Sequence, residues 1–186
     1  MAMARVLIPL AQGCEEIEAV TIIDLLRRAG IEVVTAGLDA EPVTASRGTV
    51  LVPDSVLDRI IEDHFDMIAL PGGQPGADHL NQDPRIHRLI ARQADQARYV
   101  AAICAAPKVL AEAGLLNGRR ATSYPGAIAA DVYPAIDLVE DPVVVDDKIV
   151  TSRGPGTAMD FALQLIELLA GHDRRVEVES KLMRPR

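Results

Sequence analysis

The sequence predicts an α/β protein, a doubly wound and mostly parallel sheet sandwiched between helices. Three observations point there. Short apolar runs of strand length alternate with longer helical stretches along the whole chain. The first two runs are separated by a helix-sized segment that stops at Gly30, a spacing that calls for a parallel, right-handed crossover. One run, Tyr99–Ile103, passes into helix formers within about two residues, as strand-to-helix turns in such sheets do.

In order, Arg5–Leu10 (RVLIPL) is a short apolar strand interrupted only by Pro9. Ala11-Gln12-Gly13 is a turn, and a helix runs from Glu15 to about Ala29. Ile31–Gly37 is the second strand, and Val43–Ser46 with Thr49–Val52 form a hairpin turning at Arg47-Gly48. A short helix over Val56–Asp63 precedes the buried strand Phe65–Leu70 and the turn Pro71-Gly72-Gly73. Asp83-Pro84 is an N-cap followed by proline, opening a helix to about Ala97. After Tyr99–Ile103 comes the helix ending at Gly114, then the turn Asn117-Gly118 and a strand over Arg120–Ser123. Pro125–Val132 reads as a short helix, and Val143–Val145 with Ile149–Ser152 as a hairpin at Asp146-Asp147. Thr157 caps the last long helix, Ala158–Ala170, which Gly171 stops. Residues 1–171 thus read as one domain, and the polar, basic His172–Arg186 as a tail or docking segment.

A chain of 186 residues, 49% of them hydrophobic, is long enough for one domain with a sizeable core. The formal charge of −8 speaks against a nucleic-acid or anionic-membrane surface, and only five aromatic side chains (two Phe, three Tyr) are available to stack on bases. No apolar run approaches a membrane span, and Met1–Arg5 leads into a strand without a signal-peptide core. Cys14 and Cys104 make neither a disulfide framework nor a zinc site, which fits a reducing cytoplasm.

In doubly wound sheets the site lies beyond the carboxyl ends of the strands, here Gly13–Glu18, Pro71–Gln74, Cys104 and Ser152–Thr157. Cys104 sits at the abrupt turn among the small residues Ala102, Ala105 and Ala106, with Pro107 preset for the first helical turn. This is the pattern of a nucleophile elbow with sulfur in place of oxygen, and a helix N-terminus favours thiolate; the alternative is a buried structural cysteine. On the first helix Glu18 heads the otherwise apolar stripe Ile22, Leu25, Ala29 and so faces the sheet. A carboxyl there has a raised pKa and can exchange a proton with the Cys104 sulfur; the alternative leaves it in solvent beside Glu15 and Glu16. The N–H groups of Gly72 and Gly73, with that of Ala105, are candidates for an oxyanion hole. No phosphate-loop or dinucleotide fingerprint is present, none of the four histidines directly follows Cys104, and no metal-ligand spacing appears.

The set GCEEIE (13–18), LPGG (70–73), AAICAAP (101–107) and TSRGPGT (151–157) resembles the ThiJ/PfpI superfamily, closest to the branch of YajL and the human parkinsonism-associated protein deglycase. The resemblance runs from about Arg5 to Gly171. It implies a flavodoxin-like three-layer sandwich, a homodimer, and no cofactor. It makes Cys104 the reactive, oxidation-prone cysteine, Glu18 its protonated partner, and Gly72, Gly73 and Ala105 the backbone donors. Arg47 and Arg153 match arginines near the pocket and dimer interface, and Glu15 falls in the same motif as Glu18.

Two departures count. Ala105 stands where peptidase and amidotransferase relatives carry a histidine after the cysteine, which speaks against those activities. Tyr124 stands where close relatives often have histidine, and tyrosine is a poor base near neutral pH. The resemblance implies a cysteine-dependent enzyme acting on reactive dicarbonyls or glycated adducts, methylglyoxal to lactate, in which Cys104 attacks the aldehyde and Glu18 moves the proton between the adjacent carbons. The alternatives are a redox-sensing chaperone whose Cys104 oxidises to a sulfinate, and a small-molecule binding module with an inert cysteine. Cys14 is either a turn filler or a second thiol at the site.

Overall fold

The computed structural model describes residues 3–184. In chain order the elements are β1 (Arg5–Leu10), α1 (Glu16–Arg28), β2 (Glu32–Gly37), β3 (Val43–Thr44), β4 (Val50–Leu51), β5 (Ser55–Val56), α2 (Leu57–Ile60) and β6 (Met67–Leu70). There follow α3 (Gly76–Gln82), α4 (Pro84–Asp95), β7 (Tyr99–Ile103), α5 (Pro107–Glu112), β8 (Arg120–Ala121) and β9 (Asp137–Leu138). The chain closes with β10 (Val143–Asp146), β11 (Ile149–Ser152), α6 (Ala158–Ala170) and α7 (His172–Ser180).

Seven strands make one sheet in the order β10-β11-β7-β6-β1-β2-β5. Every neighbouring pair is parallel except the β10–β11 hairpin. From β1 the chain steps outward to β2, then returns to β6 on the other side, so the carboxyl ends of β1 and β6 flank the switch point where such sheets open a crevice. The alternation within β1 shows how both faces are sealed: Val6, Ile8 and Leu10 point into one apolar layer, Leu7 into the other. The first layer holds Ile22 and Leu26 of α1 with Phe161, Leu165 and Ile166 of α6. The second holds Ile86, Leu89 and Ile90 of α4 with Val109 and Leu110 of α5. This is the flavodoxin-like three-layer sandwich.

Several elements differ from the sequence reading, each for a local reason. Glu15 has extended backbone angles and caps α1 rather than belonging to it. Residues 76–82 form α3, whose glycine start hides the helical pattern; burial of Ala77 and Leu80 and an ion pair from Asp78 to Lys108 hold it. The expected helix over Pro125–Val132 is absent. Gly126 there has φ 81° and the segment runs through turns, while β8 finds an unforeseen partner in β9. The segment after Gly171, expected as a tail or docking segment, forms α7 through Ser180 and packs on α6; its last two residues lie outside the described residues. Val178 is its buried anchor, flanked by ion pairs Arg175–Glu167 and Arg184–Asp160. No helix among the described residues is long and apolar enough to cross a membrane.

Val178→Asp places a charge in this seam and is expected to lower unfolding stability by about 2 kcal/mol or more. Urea denaturation reads this directly; an unchanged midpoint would mean that α7 contributes nothing to the fold.

Candidate active site

Cys104 lies between the end of β7 and the start of α5, with φ 64° in the left-handed region. That conformation is costly for a residue with a Cβ and must be held from outside. Two hydrogen bonds hold it: its N–H donates to the Ser152 carbonyl (2.9 Å) and its carbonyl accepts from the Tyr124 N–H (2.8 Å). The side chain is thereby aimed at the carboxyl ends of β1 and β6, with 8% of the residue exposed.

Glu18 approaches the same point from the first turn of α1 and is fully buried. Its Oε2 accepts the Gly72 N–H at 2.8 Å, while Oε1 has no aligned hydrogen-bond partner among the described residues. Only glycine fits at position 72, because a Cβ there would stand 2.7 Å from the Cys104 Cβ and 2.8 Å from Glu18 Oε2. Burial pushes the Glu18 pKa up to about 7, against the pull of the Cys104 thiol and the Gly72 N–H, with the Glu15 charge adding to the rise. The thiol is thus within reach of the carboxyl without the alignment of a full hydrogen bond.

Two sequence expectations need correction here. The helix N-terminus does not by itself favour the thiolate: burial, then the Glu18 charge, push Cys104 up to about 12, and the Gly73 and Ala105 N–H groups only oppose this. A six-residue α5 and a buried sulfur beside a carboxylate account for the direction. Moving a proton from the sulfur onto Glu18 removes the repelling charge and turns the carboxyl into a donor toward sulfur. The second correction concerns Gly72. Its N–H is consumed by Glu18, so it positions the acid and is no free oxyanion donor, which leaves Gly73 and Ala105 beside the sulfur.

A cavity of about 440 Å³ opens over Cys104. It brings together the sequence-derived candidates Glu15, Arg47, Gly73, Ala105 and Tyr124. Glu15 Oε2 accepts the Ser46 hydroxyl at 2.8 Å. Arg47 is exposed and forms no ion pair among the described residues, and Tyr124 is 53% exposed. Arg153 is not part of this cavity. It borders a separate one of about 180 Å³, with Nη1 donating to the Glu140 carbonyl (2.9 Å). Gln74 and Pro155, from the expected turns, also line this cavity; Ser46 does too and was not foreseen, arriving because the Arg47 and Thr49 N–H groups dock the β3–β4 hairpin onto Glu16. Cys14 is sealed, with burial pushing its thiol up to about 11, and its backbone packs where a Cβ on Gly76 would clash. Among the described residues no cluster of three or more His, Cys, Asp or Glu side chains is placed to hold a metal ion.

Fold and site together define an α/β sandwich with a backbone-strained cysteine paired to a buried carboxyl at the crevice of its sheet. The DJ-1/PfpI family model matches residues 4–168, and the chain belongs to that family. It is 41% identical to protein dj-1beta of Drosophila melanogaster, covering 95% of each chain, and superposes on the crystal structure of Drosophila melanogaster DJ-1beta with a TM-score of 0.93 over the full length of both, at 39% identity. It is 37% identical to the glutathione-independent glyoxalase DJR-1.2 of Caenorhabditis elegans, covering 92% of this chain and 90% of that one. Protein DJ-1 homolog B of Arabidopsis thaliana is 42% identical over 97% of this chain, which spans only 42% of that longer protein.

If Glu18 governs the sulfur, Glu18→Gln removes the repelling charge and lowers the pH midpoint of Cys104 alkylation by about one unit or more. Iodoacetamide kinetics across pH measure it; superimposable wild-type and variant profiles would show the two groups to be uncoupled.

Proposed function

We propose that this protein is a cofactor-independent, Cys104-dependent enzyme acting on reactive dicarbonyls, converting methylglyoxal to lactate without glutathione. The observation that carries the reading is the Cys104–Glu18 pair, a thiol on a left-handed backbone turn packed beside a fully buried carboxyl, with an open cavity over the sulfur. With the proton on Glu18, the Cys104 thiolate adds to the aldehyde carbon and a carbon–sulfur bond forms. The aldehyde oxygen becomes an alkoxide that the Gly73 and Ala105 N–H groups receive and that takes a proton from solvent, while Glu18 keeps the sulfur's proton until the thiol is released. Proton transfer from the aldehyde carbon to its neighbour yields a thioester, which water cleaves to release the hydroxy acid and the thiol. The name of the C. elegans relative, a glutathione-independent glyoxalase, supports this reading. Glycated adducts fit the same chemistry.

A second reading rests on the Glu18 Oε1 that lacks an aligned partner. A protonated carboxyl there would donate to a Cys104 sulfinate and stabilise it, as a redox sensor or chaperone requires. We place the protein in a reducing cytoplasm, since both cysteines are free. We also propose a homodimer. Ile17 and Val20 of α1 (55% and 44% exposed) and Val50 and Val52 (60% and 78%) lie on elements joined by the Glu16 bonds to the hairpin and leave an uncovered apolar patch.

Purified protein is expected to form lactate from methylglyoxal with no added thiol; Cys104→Ala abolishes this and Glu18→Ala lowers it about a hundredfold or more. No detectable turnover in the wild type would defeat the enzyme reading, and two oxygens gained by Cys104 alone under mild peroxide would then favour the sensor. Sedimentation velocity is expected to give a dimer for the wild type and a monomer for Ile17→Glu; a monomeric wild type would overturn the assembly.

A further inference from the structure

Carbon-to-carbon proton transfer requires a base that touches the substrate, and Glu18 is badly placed for it. It is fully buried, it does not line the cavity, and its Oε2 is tied to Gly72. Its position suits it to manage the sulfur's proton. The ionisable side chains that do line the cavity are Glu15, Arg47, Cys104 and Tyr124. Arginine stays protonated, the sulfur is spent on the carbon–sulfur bond, and a phenol is a weak base near neutral pH. Among the described residues none of the four histidines reaches the cavity: His79, for one, lies in the larger hollow of about 550 Å³ beyond β1, its Nδ1 bonded to the Gln12 carbonyl.

That leaves Glu15, and its setting differs from that of its neighbour in a way that matters. Oε2 is anchored by the Ser46 hydroxyl at 2.8 Å. Among the described residues Oε1 finds no hydrogen-bond partner and, unlike Glu18 Oε1, is not sealed from solvent. The residue is 8% exposed, so the carboxyl is restrained yet open toward the cavity. Ser46 also stands 3.0 Å from Glu16 Oε2, but its single hydroxyl hydrogen serves one carboxylate at a time, and Glu16 already takes the N–H of Arg47. The contact to Glu15 is the shorter of the two, and the hydroxyl rotates between both carboxylates.

We propose that Glu15 is the catalytic base that moves the substrate's carbon-bound proton, with Ser46 as its positioning residue. The inference rests on the glyoxalase reading above and deepens it by splitting the acid–base work between two carboxyls. After Cys104 has added to the aldehyde, Glu15 takes the hydrogen on that carbon as a proton. The electron pair left behind forms the carbon–carbon double bond of an enediolate, and the hydroxyl proton of the first carbon passes to the neighbouring ketone oxygen to balance its charge. Glu15 then returns its proton to the second carbon as the first regains its carbonyl, now a thioester of Cys104. No external oxidant or reductant enters: one carbon is oxidised as its neighbour is reduced.

The test compares wild type, Glu15→Gln, Glu15→Asp and Ser46→Ala in methylglyoxal turnover, Cys104 alkylation and intact mass after a rapid quench. Glu15→Gln is expected to lose about a hundredfold or more in lactate formation. It should keep the wild-type alkylation profile and accumulate one methylglyoxal on Cys104. Glu15→Asp, which retains a carboxylate, is expected to recover part of the rate, and Ser46→Ala to lose several-fold in kcat with alkylation unchanged. Turnover by Glu15→Gln within about threefold of wild type would overturn the role of Glu15 and leave the enzyme reading standing. Slowed alkylation without an adduct would overturn it too, by showing that Glu15 acts through the sulfur. A wild type that makes no lactate removes the enzyme reading and this role together. Should Glu15→Gln fail to fold, undiminished kcat in both Glu15→Asp and Ser46→Ala decides against the proposal.

Discussion

The Gly72 N–H to Glu18 Oε2 hydrogen bond is the constraint on which the site depends. A carboxyl brought to zero exposure without partners would oppose folding; one with all its oxygens satisfied would stay ionised and hold no proton. Glu18 lies between these limits. One charge-assisted bond, worth about 1.5–3 kcal/mol, offsets part of the desolvation, and the remaining oxygen is left for the sulfur. A pKa near 7 follows from that half-satisfied state. The bond also joins α1 to the turn after β6, so the acid and the glycine that admits it are fixed together.

Cys104 shows the same division of labour at the level of the backbone. Its left-handed conformation is held by Ser152 at the end of β11 and by Tyr124 in the loop after β8. Neither contact comes from α5: one is from the end of a sheet strand and the other from a loop, so the strain at the sulfur is sustained from outside the helix it precedes. The Tyr124 side chain is exposed in the cavity wall while its N–H fixes the cysteine. A change of side chain at position 124 can therefore alter what the cavity recognises without releasing the turn.

The parts of the fold legible in the sequence were those whose pattern is local and continuous. The strands at Arg5–Leu10 and Tyr99–Ile103 announce themselves as unbroken apolar runs, and the hairpin at Asp146-Asp147 as two such runs around a turn. The α3 helix and the two-residue β9 did not, because α3 is fixed by its contacts to α5 and β9 by its pairing with β8. Glu18 was legible as an acid heading an apolar stripe, and Cys104 as the residue at an abrupt turn. The fate of the Gly72 N–H was not, since a glycine pair does not reveal which of its donors a distant side chain will take. Nor was the place of Arg153 beside a neighbouring cavity, where its Nη1 donates to the Glu140 carbonyl.

The three carboxyls of one turn, Glu15, Glu16 and Glu18, show how helical geometry separates chemically identical groups. At 100° per residue, Glu16 and Glu18 project to nearly opposite sides of α1. Glu16 meets the hairpin; desolvation opposes its charge, yet hydrogen bonds from its own N–H, Ser46, Thr49 and Arg47 hold it below the usual carboxylate range. Glu18 meets the sheet and is raised by burial. Two groups of equal intrinsic acidity thus settle on opposite sides of their common value within two residues, which is how one scaffold comes to hold an acid and a base side by side. Glu15 caps the helix between them, turned to the cavity that neither neighbour lines. A proton entering this region meets a carboxylate tied into structure, a carboxyl reserved for sulfur, and one with an oxygen still open to a substrate, and the third is where chemistry on carbon has room to occur.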